Sequence, residues 1–268
     1  MDRCVLLFIV GTKYAARTLV AVSSLRKWWG GPIVILNGDN QPWLVGNFDG
    51  KNGVRVIQCP MAKQGRNAAY LTKTTLWRFT PHLNNIFLDA DTMTTGPLDR
   101  LWPIASEIVL TRFSEWVTTG NMMSGRIKRW EKIRPALVAE ALSKPKPAIN
   151  TGVFAFRRDI AFLGCWEELT RLNPIFMCDE IAAQILYEPF AHRLLDDRFN
   201  CSPKFGVNRQ HVCVWHYHGE AHVKTTHQPW FDQLLECWEQ NDFNCNAWMR
   251  PLLIQQEKDA MAKIGLEL

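Results

Sequence analysis

Two carboxylates at the end of an apolar run are the residues of this sequence best suited to chemistry. Asp89 and Asp91 follow Ile-Phe-Leu and are separated only by Ala90. Side chains at i and i+2 of an extended strand point the same way, so both carboxylates can reach one divalent cation. Ligands made of oxygen favour Mn²⁺ or Mg²⁺, ions that also hold the phosphates of substrates. The alternative is a pair of solvated acids in a turn, but ligands of open α/β sheets bind where strands end.

A second group of chemically active side chains lies near the C-terminus. Five of the seven histidines fall between positions 211 and 227. If residues 212–218 form a strand, His216 and His218 project from one face, and an imidazole there can complete the shell of the cation. His222 and Lys224 can supply positive charge to phosphate oxygens.

The cysteines allow a different metal site. Cys201 and Cys213, together with two of these histidines, have the residue types of a structural zinc site. However, none of the eight cysteines belongs to a Cys-x-x-Cys pair, and the spacing does not match that of zinc fingers. Scattered single cysteines are typical of reduced thiols, so the sequence predicts a cytoplasmic protein.

Composition limits the classes of function. With 268 residues, 47% of them hydrophobic, the chain can bury a large core as one domain with or without a C-terminal appendage. The apolar run 5–10 is too short to cross a bilayer and indicates a buried first strand, so we predict no transmembrane segment. The net charge of +5 suits a small anionic substrate or peripheral contact with phospholipid, and no Lys/Arg run suggests nucleic-acid binding.

Hydrophobic periodicity predicts alternating strands and helices. The predicted strands are 4–10, 33–36, 54–58, 86–88, 108–112, 152–156 and 212–218, and the predicted helices are 14–29, 69–79, 130–142, 160–172 and 179–187. This alternation indicates an α/β fold with a mostly parallel sheet flanked by helices on both faces.

Several segments, taken in order, resemble the glycogenin-like glycosyltransferases of family 8, which have the Rossmann-like GT-A fold. The similarity covers residues 4–230, and the segments that carry it are LTKTTLWRF (71–79), IFLDADT (86–92), PLDRLW (97–102), INTGVF (149–154), CDE (178–180) and RFNCS (198–202). An ordered set of motifs is far more specific than any one of them.

The resemblance implies a donor site for a nucleotide sugar. Gly11, Thr12 and Tyr14 would line the nucleoside pocket, with Tyr14 stacking on the base, and Lys73 would reach the phosphates or the sugar. Without the resemblance, Tyr14 could equally pack at the start of a helix, and Lys73 could be a solvated residue on an amphipathic helix.

The resemblance also implies a metal site. The turn Asp89-Ala90-Asp91 would hold Mn²⁺ (or Mg²⁺) and the diphosphate, with His216 as the third protein ligand because His216-x-x-Gly219 matches a motif of the family. The family has Lys three residues after that Gly. This chain has His222 there and Lys224 two positions later, so either side chain could contact phosphate.

Three further residues would act on the sugar or the acceptor. Asn150 would orient the sugar or the acceptor, although an Asn before Thr-Gly can also cap a turn. Asp179 and Glu180 would steer the acceptor hydroxyl or stabilise a sugar with oxocarbenium character. Family members commonly have Asp-Gln where this chain has Asp179-Glu180. The glutamate could serve as a base, a transient nucleophile or a ligand of sugar hydroxyls.

The sequence therefore predicts a metal-dependent glycosyltransferase. Residues 1–228 would form the GT-A domain and residues 229–268 a helical extension that docks an acceptor, a membrane or a partner, or packs on the domain. The expected donor is a UDP-sugar, the acceptor a hydroxyl of a glycan, protein or lipid-linked molecule, and the expected stereochemistry is retention. The alternatives are a sugar nucleotidyltransferase, disfavoured because no Gly-rich cationic loop follows the first strand, and an inactive sugar- or protein-binding module.

Overall fold

A mixed sheet of seven strands forms the centre of the molecule. The structure, a computed structural model, describes residues 2–61, 67–205 and 209–263. The strands are β1 Arg3–Ile9, β2 Ile33–Asn37, β3 Val54–Gln58, β4 Asn84–Asp89, β5 Thr92–Thr94, β6 Ile108–Val117, β7 Lys146–Arg157, β8 His192–Leu195 and β9 Val214–His216. The large sheet has the order β3-β2-β1-β4-β7-β6-β8, and β5 pairs with β9 in a separate ribbon. Only β7 runs against the other six strands of the large sheet, so the prediction of a mostly parallel sheet is confirmed.

Helices cover both faces of the sheet. They are α1 Ala15–Arg26, α2 Pro42–Phe48, α3 Ala68–Lys73, α4 Met122–Lys128, α5 Pro135–Ala141, α6 Ala161–Leu172, α7 Cys178–Leu186, α8 Ala221–Lys224, α9 Gln228–Glu239, α10 Cys245–Trp248 and α11 Gln255–Lys263. The core consists of two clusters, one on each face. Val5, Leu7 and Ile9 of β1 enter the first, and Cys4 and Leu6 enter the second, because side chains alternate along a strand. A strand buried on both faces must be apolar throughout, which explains the run at the start of the chain.

The segment after residue 228 belongs to the first of these clusters. Trp230, Phe231 and Leu234 of α9 are fully buried, as is Met249 farther along. They pack in the same cluster as β1 and α1. The predicted helical extension is therefore present, and its large apolar residues complete the core on one face of the sheet.

Two predicted helices are shorter than expected. The helix predicted over 69–79 ends at Lys73 and is followed by a 3₁₀ turn, Leu76–Arg78. The hydroxyl of Thr74 donates to the carbonyl of Leu71 at 2.8 Å, and Thr75 donates to Thr72 at the same distance. Such bonds compete with the helical ladder, which the periodicity of apolar residues cannot show.

The helix predicted over 130–142 is also interrupted. The structure has α4 before this region and starts α5 at Pro135. Proline lacks a backbone N–H and fits the first turn of a helix but not its interior, so Pro135 sets the new start. The ribbon strand predicted over 212–218 is confirmed only for Val214–His216.

Candidate active site

The two carboxylates and one histidine predicted to bind metal come together in the structure. Strand β4 ends at Asp89, and β5 begins three residues later. Pairing of Thr92 with His216 in the β5–β9 ribbon brings the imidazole to the carboxylates. His216 Nε2 lies 3.6 Å from Asp89 Oδ2 and 3.3 Å from Asp91 Oδ1. Among the described residues, these three side chains form a group whose ligand atoms all lie within 4.8 Å of one another.

A buried amide sets the orientation of His216. Its Nδ1 lies 2.8 Å from Asn200 Oδ1. The Nδ2 of Asn200 donates to Thr111 Oγ1 at 2.8 Å and to Asn150 Oδ1 at 3.0 Å, so Oδ1 of Asn200 is the acceptor. Nδ1 of His216 therefore donates to Asn200, which leaves Nε2 to face the carboxylates; histidines that bind metals are commonly oriented in this way through their other ring nitrogen. Sequence reasoning had given Asn200 no role, although it lies in the motif 198–202.

A glycine makes room for the imidazole. The pairing of β6 with β7 shifts register between Leu110, opposite Phe154, and Thr111, opposite Asn150. Gly152 lies in this irregularity, and a Cβ there would stand 2.1 Å from His216 Cε1 and 2.8 Å from Asn150 Oδ1. Bulges next to active sites commonly redirect side chains. At this position any larger residue would collide with His216.

Lys73 links the carboxylate pair to Asp179. Its Nζ donates to both oxygens of Asp89, at 2.9 and 3.0 Å, and lies 3.7 Å from Asp179 Oδ2. Asp179 also accepts a hydrogen bond from Thr151 Oγ1 at 2.8 Å. Burial opposes the charge of Lys73, but the two carboxylates outweigh it and raise the pKa of this lysine. Lys73 therefore remains a fixed cation inside the site and is not a solvated surface residue.

The two carboxylates of this group, Asp89 and Asp91, differ electrostatically. Burial raises the pKa of Asp89 despite the nearby Lys73. Burial also acts against ionisation of Asp91, but the imidazole of His216 and the guanidinium of Arg17 outweigh it and hold the pKa of Asp91 below its usual range. Two anionic oxygen ligands and one imidazole are a donor set that fits Mn²⁺ or Mg²⁺.

Glu180 behaves differently from the acids around it. Its side chain is buried, and Oε2 accepts a hydrogen bond from Asn150 Nδ2 at 2.6 Å. Burial and the neighbouring Asp179 raise the pKa of Glu180 to about 8. At neutral pH Glu180 is therefore a neutral group that both donates and accepts hydrogen bonds, as the amide of glutamine does. This protonation state disfavours a role as general base.

We expect Glu180→Gln to stabilise the protein increasingly as pH rises from 5 to 8. The pKa in the folded chain lies above the value of about 4.3 in an unfolded chain, so the folded state binds more protons. The stability that depends on protonated Glu180 is complete below pH 4.3 and is lost as pH rises toward 8. The loss amounts to at most about 1.4 kcal/mol per pH unit. Urea unfolding at several pH values measures the difference from wild type.

The exposed Glu239 offers a matched control. Glu239→Gln makes the same chemical change outside the site, and its stability difference from wild type should stay small across this range. If the difference in the free energy of unfolding between Glu180→Gln and wild type does not change with pH, the raised pKa of Glu180 is contradicted.

The residues predicted to bind the nucleoside follow β1. Gly11 has φ of 90°, a conformation that favours glycine, and turns the chain into the 3₁₀ helix Thr12–Tyr14. Thr12 is exposed, and the partly buried ring of Tyr14 lies below Lys13 Nζ and the guanidinium of Arg17, at 5.1 and 5.3 Å. Burial raises the pKa of Tyr14, and the negative charges of Asp91 and Asp89 raise it further.

The predicted phosphate ligands near the C-terminus lie in different environments. His222 is fully buried, and its Nε2 lies 3.2 Å from Glu257 Oε1, so the structure does not present this imidazole at an open surface. Lys224 is exposed and donates to the carbonyl oxygen of Gly219 at 2.7 Å. Lys204, which sequence reasoning missed, has its Nζ 3.2 Å from where a Cβ on Gly219 would lie.

His218 and Ala90 complete the set of predicted residues. The His218 ring lies 5.4 Å from that of His216 and packs near Phe113 and Phe205. Burial lowers the pKa of His218 to about 4, so this imidazole is neutral at pH 7. Ala90 is buried between the two aspartates. Of the two neighbouring histidines, the structure thus places His216 and not His218 in the carboxylate cluster.

The described residues do not reproduce the alternative zinc site. Cys201 and Cys213 are free thiols and form no group with histidines that could hold a metal within the ranges the structure covers. In the same ranges, no helix combines the length and the apolar character needed to cross a bilayer.

Comparison with solved structures identifies the fold. The galactosyltransferase LgtC, in complex with donor and acceptor sugar analogs, aligns with a TM-score of 0.62 and 15% identity over 87% of this chain and 95% of that one. The bifunctional glycosyltransferase WbbM in its apo form aligns with a TM-score of 0.62 and 13% identity over 90% and 51%. Mouse xyloside xylosyltransferase 1, also apo, aligns with a TM-score of 0.54 and 13% identity over 82% and 99%. The chain has the GT-A fold.

Other comparisons define the limits of this similarity. No family model matches the chain, and no curated protein matches it in sequence. At 13 to 15% identity, the GT-A architecture is shared while most side chains differ. An active-site mutant of LgtC in which glutamate replaces a glutamine is also similar, with a TM-score of 0.53 and 16% identity over 80% of this chain and 87% of that one.

Proposed function

We propose that this GT-A chain is a glycogenin-like glycosyltransferase that uses Mn²⁺ or Mg²⁺ to move a sugar from a UDP-sugar to a hydroxyl acceptor with retention. The observation that carries the proposal is the convergence of Asp89, Asp91 and His216, with Nε2 of His216 directed at both carboxylates. The similar solved structures are glycosyltransferases, and LgtC was solved with donor and acceptor sugar analogs. These similarities support transfer of a sugar in general. The metal, the donor and the stereochemistry are proposed from the residues of the site and from the family resemblance.

Asp89, Asp91 and His216 would hold the cation, and Asn200 would keep the imidazole in the required tautomer. A bound cation would supply positive charge to the diphosphate leaving group. Lys73 adds a fixed cation beside Asp89, so this side of the site favours an anionic donor.

The residues near Lys73 would bind the sugar. Thr151 and Lys73 hold the carboxylate of Asp179, and Asn150 holds Glu180. We propose that Asp179 stabilises positive charge on the sugar and that Asn150 and neutral Glu180 bind hydroxyls of the sugar or acceptor. A neutral Glu180 would act as the family's glutamine does, which keeps this chain compatible with retention.

Release of UDP from UDP-sugars with and without Mn²⁺ tests the proposal. We expect hydrolysis of one or more UDP-sugars that depends on metal and stops in EDTA. In parallel, a donor that binds the native state should raise the melting temperature by mass action. Pyrophosphate release from a nucleoside triphosphate and a sugar phosphate would instead indicate a nucleotidyltransferase. Binding of a sugar nucleotide without turnover would indicate an inactive binding module.

We expect Tyr14→Ala to raise the donor KM more than it lowers kcat. Stacking on the base stabilises the bound donor equally in the ground state and the transition state, and its loss weakens donor binding by about 1–3 kcal/mol. Initial rates over a range of UDP-sugar concentrations measure both constants. Trp28→Ala is the control, because Trp28 is an exposed aromatic residue beyond the end of α1. An unchanged KM in Tyr14→Ala would place the base pocket elsewhere.

We also propose a class of acceptor and a cellular location for the protein. The proposed acceptor is a hydroxyl of a glycan, a protein or a lipid-linked molecule. Eight free cysteines support a cytoplasmic location, where thiols stay reduced.

A further inference from the structure

A buried ionic cluster joins the last described helix to the first helix of the chain. Arg17 Nε lies 3.4 Å from Glu257 Oε1, and the same oxygen lies 3.2 Å from His222 Nε2. The side chains of Glu257 and His222 are fully buried, and that of Arg17 is 3% exposed. Burying such groups is costly unless they are paired, so each of them depends on the others.

Glu257 uses its two carboxylate oxygens for different purposes. Oε2 accepts a hydrogen bond from the backbone N–H of Ile254 at 3.2 Å, which caps the start of α11. Oε1 faces Arg17 and His222. Helix α11 buries little else, namely Ala260 and Met261. The packing of α11 against the domain therefore places Oε1 of Glu257 next to Arg17.

Arg17 in turn lies against the region assigned to the donor. Its guanidinium lies 5.3 Å from the centre of the Tyr14 ring, and its charge helps to keep Asp91 ionised. Two of its nitrogens, Nε and Nη2, are buried without a well-aligned hydrogen bond. Glu220 also forms an ion pair with Arg17, but at the longer distance of 3.8 Å and with 34% of its side chain exposed. Glu257 is thus a fully buried counter-charge that keeps Arg17 against the ring of Tyr14.

We propose that Glu257 is a positioning residue of the donor site, which fixes Arg17 and through it the base-stacking ring of Tyr14. The inference rests on the proposed function, because it assigns Tyr14 to the nucleoside. It makes the C-terminal helix a part of the nucleotide site, whereas the sequence predicts an extension that docks an acceptor, a membrane or a partner, or packs on the domain.

Glu257→Gln tests this role. Glutamine keeps the volume and an oxygen that can accept from Ile254, but it removes the charge that faces Arg17. We expect the donor KM to rise about tenfold with kcat changed less than about twofold, because a misplaced stacking ring weakens ground state and transition state alike. Asp259→Asn is the matched control, since Asp259 is an exposed acid of the same helix. Equal donor KM values in the two variants would overturn the proposal.

A double-mutant cycle separates positioning from a general loss of stability. If Glu257 acts through Tyr14, the change Glu257→Gln should raise KM little further in a Tyr14→Ala background. Additive effects would overturn the proposal. If Glu257→Gln fails to fold, Arg17→Lys is the second test of the proposal. Lysine keeps the charge but cannot present a planar group to the ring of Tyr14. A raised donor KM in Arg17→Lys supports the proposal, and an unchanged one overturns it.

The same measurements of donor binding and donor kinetics distinguish this inference from the proposed function. A wild-type protein that neither binds nor turns over any UDP-sugar would overturn both. A wild-type protein with normal donor kinetics that Glu257→Gln and Arg17→Lys leave unchanged would overturn the positioning role alone.

Discussion

Asp91→Asn is expected to lower the rate of UDP-sugar turnover by about 10²-fold or more while the fold is retained, because the charge stabilisation supplied by a bound cation is worth several kcal/mol. Asp91 is held in the ionised form by His216 and Arg17, so its side chain is prepared for a cation. The contact that ties this turn to the ribbon uses the backbone carbonyl of Asp91, which accepts from Tyr217 N at 2.7 Å. The substitution therefore removes a ligand without removing that bond.

Initial rates at saturating Mn²⁺, with circular dichroism to verify folding, measure this effect. Asp232→Asn is a suitable control because Asp232 is exposed on α9, where Gln228 donates to it. Full activity of Asp91→Asn, or undiminished wild-type turnover in EDTA, would exclude the metal-dependent reaction.

Gly152→Ala should lower the turnover rate to a similar extent, by displacing His216 and not by removing a carboxylate. The added methyl group would stand 2.1 Å from His216 Cε1 and 2.4 Å from Nδ1, so the imidazole must move. Movement breaks the bond of Nδ1 to Asn200 and takes Nε2 away from the carboxylates. We expect turnover to fall about 10²-fold with the metal ligand lost, and overpacking to destabilise the fold by about 1–3 kcal/mol.

Gly164→Ala is the matched control for this substitution. Gly164 lies in α6, and a Cβ there would meet no atom within 4 Å. Alanine at this helical position should leave activity unchanged and stabilise the protein by about 0.5–1 kcal/mol. Turnover and the Mn²⁺ concentration for half-maximal rate should be measured for both variants. Normal Mn²⁺ dependence in Gly152→Ala would show that His216 does not contribute to metal binding.

Local patterns in the sequence were sufficient to predict six of the seven strands of the large sheet, whereas β8, His192–Leu195, was missed. The third strand was predicted with the bounds the structure has, Val54–Gln58, and the first differs by one residue at each end. Apolar content identifies the first strand, because a strand covered on both faces has no polar side. The third strand lies at the edge of the sheet and exposes Arg55 and Gln58, so only its short apolar positions indicate it. The carboxylate pair could also be predicted, since Asp89 and Asp91 are neighbours in the chain and follow directly from the end of a strand.

Helix ends in the middle of the chain were predicted less well. Side-chain hydroxyls near Thr74 and the proline at position 135 interrupt helices that the apolar spacing alone would continue. Both interruptions have local causes, capping by threonine and the missing N–H of proline, that compete with periodicity.

The sequence by itself thus determined the α/β class, the buried strands and the position of Asp89 and Asp91, because these depend on neighbours within a few residues. Only the tertiary structure decided that His216 and not His218 faces the carboxylates, and that Asn200 and Gly152 hold it there. The burial of His222 against Glu257 was likewise decided by tertiary packing. Contacts between residues far apart in the chain depend on strand pairing and on which space is left in the core, and neither can be read from spacing along the chain.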